Sequence, residues 1–382
     1  MNPDFHYYAT YCAAILAGYS HEESMALCYS DQLVDLCTAT LLSKVKGPSA
    51  AATTQLQLEL MAARTDIVGL QNITRIWASF HFLPYDLGAE PPKRCGKRYR
   101  NKYRLICQPN SALLEETVRL AKDRGLQAAG IAMHVLADTW AHRNFAGTPS
   151  LIINNASYYF YELLDGGERK LKFRHSASAP DDLENSIYTS SLLVNSENNI
   201  MNLGHGRVGH LPDYCFIRYK YLPAWGDYEE LVKDNPADYR SAFCQMIEAM
   251  KYLRGERADF ARDRYDTQAI APWEEEIGRI LHKRQLDASD DWKALGEKLS
   301  GHTIEPFDLN KYQEEYTSAP NDKKEATFLG AFFRAAMRQK SMVTKAIFES
   351  GSKLAGYSLE YKGRRGMKEY RELLLGEKGE RS

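Results

Sequence analysis

The sequence predicts a mainly α, multi-helical protein interrupted by one small β-hairpin. Three observations predict it. Helix-start and helix-stop signals bracket most of the chain. A single short region, about 157–175, alternates its pattern around an Asp-Gly-Gly turn. The stretch "AAGIAMHVLADTWAH" at 128–142 carries almost no charge, so it reads as a helix buried nearly all round.

Taken in order, residues 5–17 form a first helix ending at Gly18. "SHEE" at 20–23 has the form of a capping box, Ser20 with Glu23, and opens a second helix to about 46, where "GPSAA" stops it. Residues 53–79 are helical up to "WASFHFLP" at 77–84, and 88–105 is a basic loop. Asn110 or Ser111 caps the next helix, and Gly125 separates it from the charge-poor one. The strands "YYFYELL" at 158–164 and "RKLKFRH" at 169–175 flank "DGGE". Residues 176–212, rich in Ser, Asn, Asp and Gly, are irregular. Asn235 caps a helix with Pro236 in its first turn and Gly255 after its end; further helices cover 272–286, 290–299 and about 322–350. The expected division is a helical metal-binding domain over 1–305 and a C-terminal helical extension over 306–382.

Composition narrows the function. With 382 residues, 44% hydrophobic, and a net charge of −1, the chain lacks the basic balance of a dedicated nucleic-acid binder. The seven cysteines are scattered with no C-x-x-C pair, which suits reduced thiols. The start "MNPDFHYYATYCAAILAGYS" shows no basic n-region, and no apolar run reaches membrane-spanning length. The expectation is a protein cytoplasmic as synthesised, or exported without a cleaved signal.

"HVLADTWAH" at 134–142 carries the chemistry. His134, Asp138 and His142 share a stripe about 80° wide, yet the two histidines stand about 12 Å apart along the axis. One ion cannot reach both ends, so the economical arrangement is two ions with Asp138 bridging or serving one of them. A buried aspartate between two histidines needs a partner or a cation. The remaining ligands are expected from equally charge-poor surroundings: His6 in "PDFHYYATYCAAILAG", Asp31 and Asp35 in "CYSDQLVDLC", His81 in "SFHFLP", and His205, His210 and Asp213 in "LGHGRVGHLPDY". His21, His175, His282 and His302 sit beside a cap, after the hairpin, or among charges, and are set aside. "GHGRVG" at 204–209 matches a dinucleotide-binding pattern, but neither a strand precedes it nor a helix follows; its glycines are expected to let a loop fold closely around metals. G-x-S-x-G is absent, and no Ser–His–Asp or Cys–His set stands out.

With these residues in view, the chain distantly resembles the zinc-dependent phospholipase C and P1-type nuclease superfamily. It is more similar to a bacterial family carrying "FHYY", "HFLP", H-x-x-x-D-x-W-A-H and G-H-x-x-x-G-H-x-P-D, met here in order over roughly 4–225. The resemblance implies a multi-helical core of the phospholipase C/P1 nuclease kind holding two zinc ions, with three as the alternative. It implies His6 beside a bridging Asp138, a first site from Asp35 or Asp31 with His81 and His134, and a next site from His142 with His210 and Asp213 or His205. The superfamily spaces its later ligands more widely than Asp138 and His142 are spaced here, and takes an amine ligand from a processed N-terminus. The expected function is a metal-dependent phosphoesterase acting on a phospholipid or other phosphodiester through metal-activated water, with Asp31 or Asp35 as proton acceptor. The alternatives are a P1-type nuclease and a non-catalytic metal-stabilised scaffold or interaction protein. Aromatics in "ASYYFY" at 156–161 either line a substrate pocket or fill a core. The amphipathic stretch 327–347 either packs into the core or lies on a membrane surface. The tail 361–382 reads as a solvated helix end.

Overall fold

The computed structural model describes residues 1–63, 67–156, 159–174, 180–190 and 203–351. His175, part of the expected hairpin, much of the irregular stretch and the tail 361–382 lie outside the described residues.

The architecture is mainly helical, and its centre is the charge-poor helix Leu126–Ala141, buried over nearly its whole length. Around it pack His21–Val34, Ala112–Ala121, Asn235–Leu253 and Phe328–Glu349, with Ile67–Phe80 alongside. The start of the chain is a π-helical turn, Asp4–Ala9, continuing into Thr10–Leu16. π turns are rare and are frequently found at functional sites; this one carries the buried His6.

Local signals explain most boundaries. Ser20 accepts from the Glu23 N–H and Glu23 returns the bond to Ser20, completing the capping box. Ser111, not Asn110, caps Ala112–Ala121 through the Leu114 N–H. Asp234, not Asn235, caps Asn235–Leu253 by accepting from Ala237, with Pro236 in the first turn.

Three expectations need correction. The helix expected from 20 to 46 breaks after Val34, because Thr38 caps a new helix, Ala39–Val45, and Asp35 becomes the end of the first. The basic loop at 88–105 contains a helix, Lys97–Tyr103; Glu90 pairs with both Arg100 and Arg104, which relieves the repulsion of its unbroken positive charge. The β portion exceeds one hairpin. Strands β1 (Tyr161–Leu164) and β2 (Gly167–Lys170) form the expected hairpin, but β1 also pairs with β5 (Arg218–Tyr221), and β5 with β6 (Leu231–Asp234), all antiparallel. A separate parallel pair joins β3 (Lys172–Arg174) to β4 (Ile187–Thr189). These strands are only three or four residues long, too short for their alternation to register against the helical background.

Packing continues across residue 305. Ile304, Tyr316, Leu329, Phe332, Phe333, Ala336, Val343 and Ile347 belong to the same core as Phe5, Leu27 and Leu136. The apolar face of Phe328–Glu349 is thus occupied by the chain's own interior. Gln339 reaches through this contact to donate to the Ser79 carbonyl and the Thr117 hydroxyl. No helix among the described residues is long and apolar enough to cross a membrane.

The helices His21–Val34 and Leu126–Ala141 come closest at Gly130. A Cβ there would stand 2.5 Å from the Leu27 carbonyl oxygen, 2.6 Å from Ser30 Cβ and 3.0 Å from the Asp31 nitrogen. The bare glycine lets the helices His21–Val34 and Leu126–Ala141 meet backbone to backbone. Gly130→Ala is expected to lower the unfolding free energy by about 1–3 kcal/mol, the usual cost of overpacking against backbone, as measured by denaturant titration.

Candidate metal centre

The helix crossing at Gly130 sets Asp31 against His134, and the break after Val34 sets Asp35 one turn further on. Leu126–Ala141 supplies His134 and Asp138, with His142 as its C-cap. His81 follows the last turn of Ile67–Phe80, and His205 and Asp213 enter from the loop beyond 203. All these side chains converge on Asp138.

Four atoms make the tightest group. His81 Nδ1 lies 3.1 Å from Asp138 Oδ2, and His134 Nε2 lies 3.2 Å from both. Asp35 Oδ1 lies 3.7 Å from each of the two nitrogens. Zinc bonds of about 2.0–2.2 Å in tetrahedral geometry require ligand atoms about 3.3–3.6 Å apart. The measured separations straddle that range.

The hydrogen-bond partners of the rings assign which nitrogens are free. A carbonyl can only accept, so a ring nitrogen beside one must donate. His81 Nε2 donates to the Thr53 carbonyl at 3.1 Å, His142 Nδ1 to the His81 carbonyl at 2.7 Å, and His205 Nδ1 to the Gly209 carbonyl at 2.6 Å. His134 Nδ1 lies 3.0 Å from both the carbonyl and the carboxylate of Asp31. In their neutral forms these imidazoles turn their lone pairs toward the carboxylates, the orientation that outer partners impose on metal-binding histidines. Without a cation or proton between them, the lone pairs of His81 Nδ1 and His134 Nε2 would repel at 3.2 Å.

A second group comprises His142, His205 and Asp213. His142 Nε2 is 3.2 Å from Asp213 Oδ1, and His205 Nε2 is 3.6 Å from Asp213 Oδ2. The ring of Phe82 stacks on His142 at 4.5 Å and holds it flat. Gly204, at φ +55°, makes this possible, since a Cβ there would stand 2.0 Å from Phe82 Cζ. A third group of possible ligand atoms joins His6, Asp31 and His134.

All ten sequence-expected residues lie in or beside this cluster, with differing roles. His6, Asp31, His134 and Asp138 are fully enclosed, whereas the Asp35 side chain is 29% exposed. His210 stands at the edge, 61% exposed, and reaches the cluster through Asp213 Oδ2, 3.2 Å from its Nδ1. His205, the alternative to it, occupies the ligand-like position. His21 and His302 stack on one another away from the centre, and His282 bonds the Gly278 carbonyl.

Three participants escaped the sequence reading. Thr53 and Thr10 brace His81 and Asp31, and nothing in their local sequence marks them; Thr10 is betrayed only by its position one turn after His6. The third is Met1, whose amine nitrogen is 2.7 Å from Asp138 Oδ1 and 3.4 Å from Asp213 Oδ1. The resemblance to enzymes with an amine ligand was the signal available for it.

The electrostatics are those of a site built for cations. Among the described residues, the ion pairs of Asp31, Asp35, Asp138 and Asp213 run to histidines and the Met1 amine, none to lysine or arginine. Burial alone would lower the His134 pKa, but Asp138 and Asp35 push it up to about 10. Burial opposes and the carboxylates raise the Met1 amine to about 11. Burial would raise Asp138 and Asp213, yet the surrounding imidazoles and the amine hold both well below the usual carboxylate range. Desolvation depresses His81, and takes His205 down to about 4.

Fold and centre together define a mainly helical protein with His/Asp groups able to hold divalent ions. Residues 1–347 match the family model described as "Family of unknown function (DUF6765)", and the chain belongs to that family. No curated protein and no solved structure matches it.

Without metal, the proton on His134 stands in for an ion. Its stabilising contribution is complete below the ordinary histidine value of 6.5 and is lost as pH rises through about 10. Metal binding must expel that proton. Calorimetric titration with zinc at pH 8, in buffers of different ionisation enthalpy, is expected to show release of about one proton from this histidine; equal heats in all buffers would contradict it.

Proposed function

We propose that the chain is a zinc-dependent phosphoesterase, resembling phospholipase C in its chemistry. The observation that carries the reading is the convergence of Asp35, His81 and His134, whose ligand atoms lie 3.2–3.7 Å apart, with Asp138 Oδ2 3.1–3.2 Å from the two imidazole nitrogens. Its all-nitrogen-and-oxygen donors suit zinc. The Nε2 atoms of His142 and His205 facing the buried Asp213 carboxylate in the second group favour two ions sharing Asp138, and the Met1 amine beside Asp138 supports the three-ion alternative.

When bound, such ions lower the pKa of a water molecule and neutralise charge on phosphoryl oxygens. The chain's own groups supply the rest. Asp35 is the most exposed of the four carboxylates; with Oδ1 toward the ion, its second oxygen would take the proton of an attacking water, whereas Asp31 is sealed off from solvent. Thr53 and the His81 carbonyl keep His81 and His142 from turning as the reaction proceeds.

Phospholipid is the preferred substrate class over nucleic acid. The chain has no overall basic charge, and exposed Leu56, Leu58, Met61 and Leu70 cluster on the segments after Thr53. Full enclosure of His134 and Asp138 favours a second reading, in which the ions only stabilise the fold.

Purified protein should contain stoichiometric zinc and hydrolyse a phosphocholine ester among a small panel of phosphodiesters. Asp35→Asn is expected to lower kcat by about 10²–10⁴, the span of general-base catalysis, and chelator should abolish turnover. Zinc-loaded protein inert on the whole panel would leave the stabilising reading.

A further inference from the structure

The ion position among Asp35, His81, His134 and Asp138 draws its donors from separate elements. His134 and Asp138 share the helix Leu126–Ala141, so the helix itself fixes their spacing. Asp35 and His81 have no such constraint. Asp35 caps the end of His21–Val34, its carboxylate is partly exposed, and its hydrogen bond from Gln32 Nε2 is stretched to 3.5 Å. His81 follows the end of Ile67–Phe80. A ligand set has to be held within about 0.5 Å of its working geometry, so these two elements need a tie.

Thr53 is where they meet. It is fully buried, and its hydroxyl, N–H and carbonyl are all engaged. The hydroxyl donates to the Val34 carbonyl at 2.6 Å, and the backbone N–H donates to the Cys37 carbonyl at 2.9 Å. Val34 and Cys37 stand on either side of Asp35, so both bonds grip the turn that carries this ligand. The Thr53 carbonyl accepts the Nε2 proton of His81 at 3.1 Å, which leaves the Nδ1 lone pair facing the ion position.

The residue before Thr53 is anchored from the far end of the chain. Lys340, on Phe328–Glu349, donates to the Ala52 carbonyl at 2.8 Å. That carbonyl and the Thr53 N–H belong to one planar peptide unit, held by Lys340 at one edge and by the Cys37 carbonyl at the other. No carboxylate among the described residues pairs with Lys340, and burial, with Arg75 nearby, pulls its pKa down to about 7. Desolvating an amine without a counter-charge is costly, so the bond is better explained by the orientation it imposes than by net stabilisation.

We infer that Thr53, clamped by Lys340, is a positioning residue that sets the separation between Asp35 and His81 and with it the affinity of the ion they share. The inference rests on the metal-centre reading above. The hydroxyl acts on the Asp35 turn and the carbonyl on His81, so the two handles separate cleanly: Thr53→Val removes the first and leaves the second.

The test uses the full chain loaded with zinc and dialysed against graded chelator, with retained zinc counted by elemental analysis and the ligand field read from the visible spectrum of the cobalt-substituted protein. Thr53→Val, close in size to the native residue, is expected to bind one ion about 10–100-fold more weakly, the usual effect of losing an outer partner, and to leave any other ion unchanged. Asp35→Asn should release the same ion, identified by the same lost spectral band. Thr53→Ser, which retains the hydroxyl, should keep both the wild-type affinity and the spectrum. Because Thr53 is buried, Thr53→Val can cost the fold; Lys340→Met, at a half-buried position, should then give a smaller loss at the same ion with an altered spectrum. A folded Thr53→Val protein with wild-type affinity, one weakened equally at two ions, a Thr53→Ser protein no better than Thr53→Val, or a Lys340→Met protein unchanged in affinity and spectrum overturns the inference while leaving the metal centre standing. A wild-type chain that takes up no divalent ion overturns the metal centre, and the inference with it.

Discussion

Four carboxylates drawn into the interior without a lysine or arginine among their ion-pair partners set the terms for the rest of this molecule. Removing one such charge from water costs several kcal/mol after relaxation. Asp138 alone is approached by four imidazoles and an amine. The surrounding helices enclose a concentration of negative charge that is met by imidazoles and the Met1 amine and could also hold cations. Asp138 and its neighbouring carboxylates are why His134 and the Met1 amine hold their protons so far above their usual values.

The apolar core and the polar centre are complementary. The charge-poor helix presents Ala, Val, Leu and Met to its neighbours on most sides and confines its polar atoms to one stripe. Rigid packing on the other sides fixes the direction of that stripe. Backbone carbonyls then do what side chains cannot: those of Thr53, His81, Gly209 and Asp31 each fix a ring without adding charge. Phe82, stacked on His142 and lodged against Gly204, joins the polar centre to the smaller aromatic core formed by Phe145, Phe160, Tyr219 and Tyr221.

Much of this was legible in the sequence because the signals were chemical. Histidine and aspartate in charge-poor helices cannot be explained by solvent, so His6, Asp31, Asp35, His81, His134, Asp138 and Asp213 declare themselves one by one. The capping box at Ser20 and the stop at Gly18 are equally local. Other features depend on neighbours distant in the chain. Choosing between Asp31 and Asp35 needs the crossing geometry at Gly130; choosing between His205 and His210 needs the loop's path, which leaves one inside and one at the rim. Strands β5 and β6 exist because β1 offers them an edge, and their own sequences "RYKY" and "LVKD" carry little strand signal.

The contact made by Gln339 bears on how such a protein can be divided. Its amide holds the Ser79 carbonyl, two residues before His81, from a helix more than two hundred and fifty positions away in the chain. The far end of the polypeptide is thus a buttress for the cluster at its beginning. A gene fragment or proteolytic nick that separates the two would strip the inner wall of this outer support.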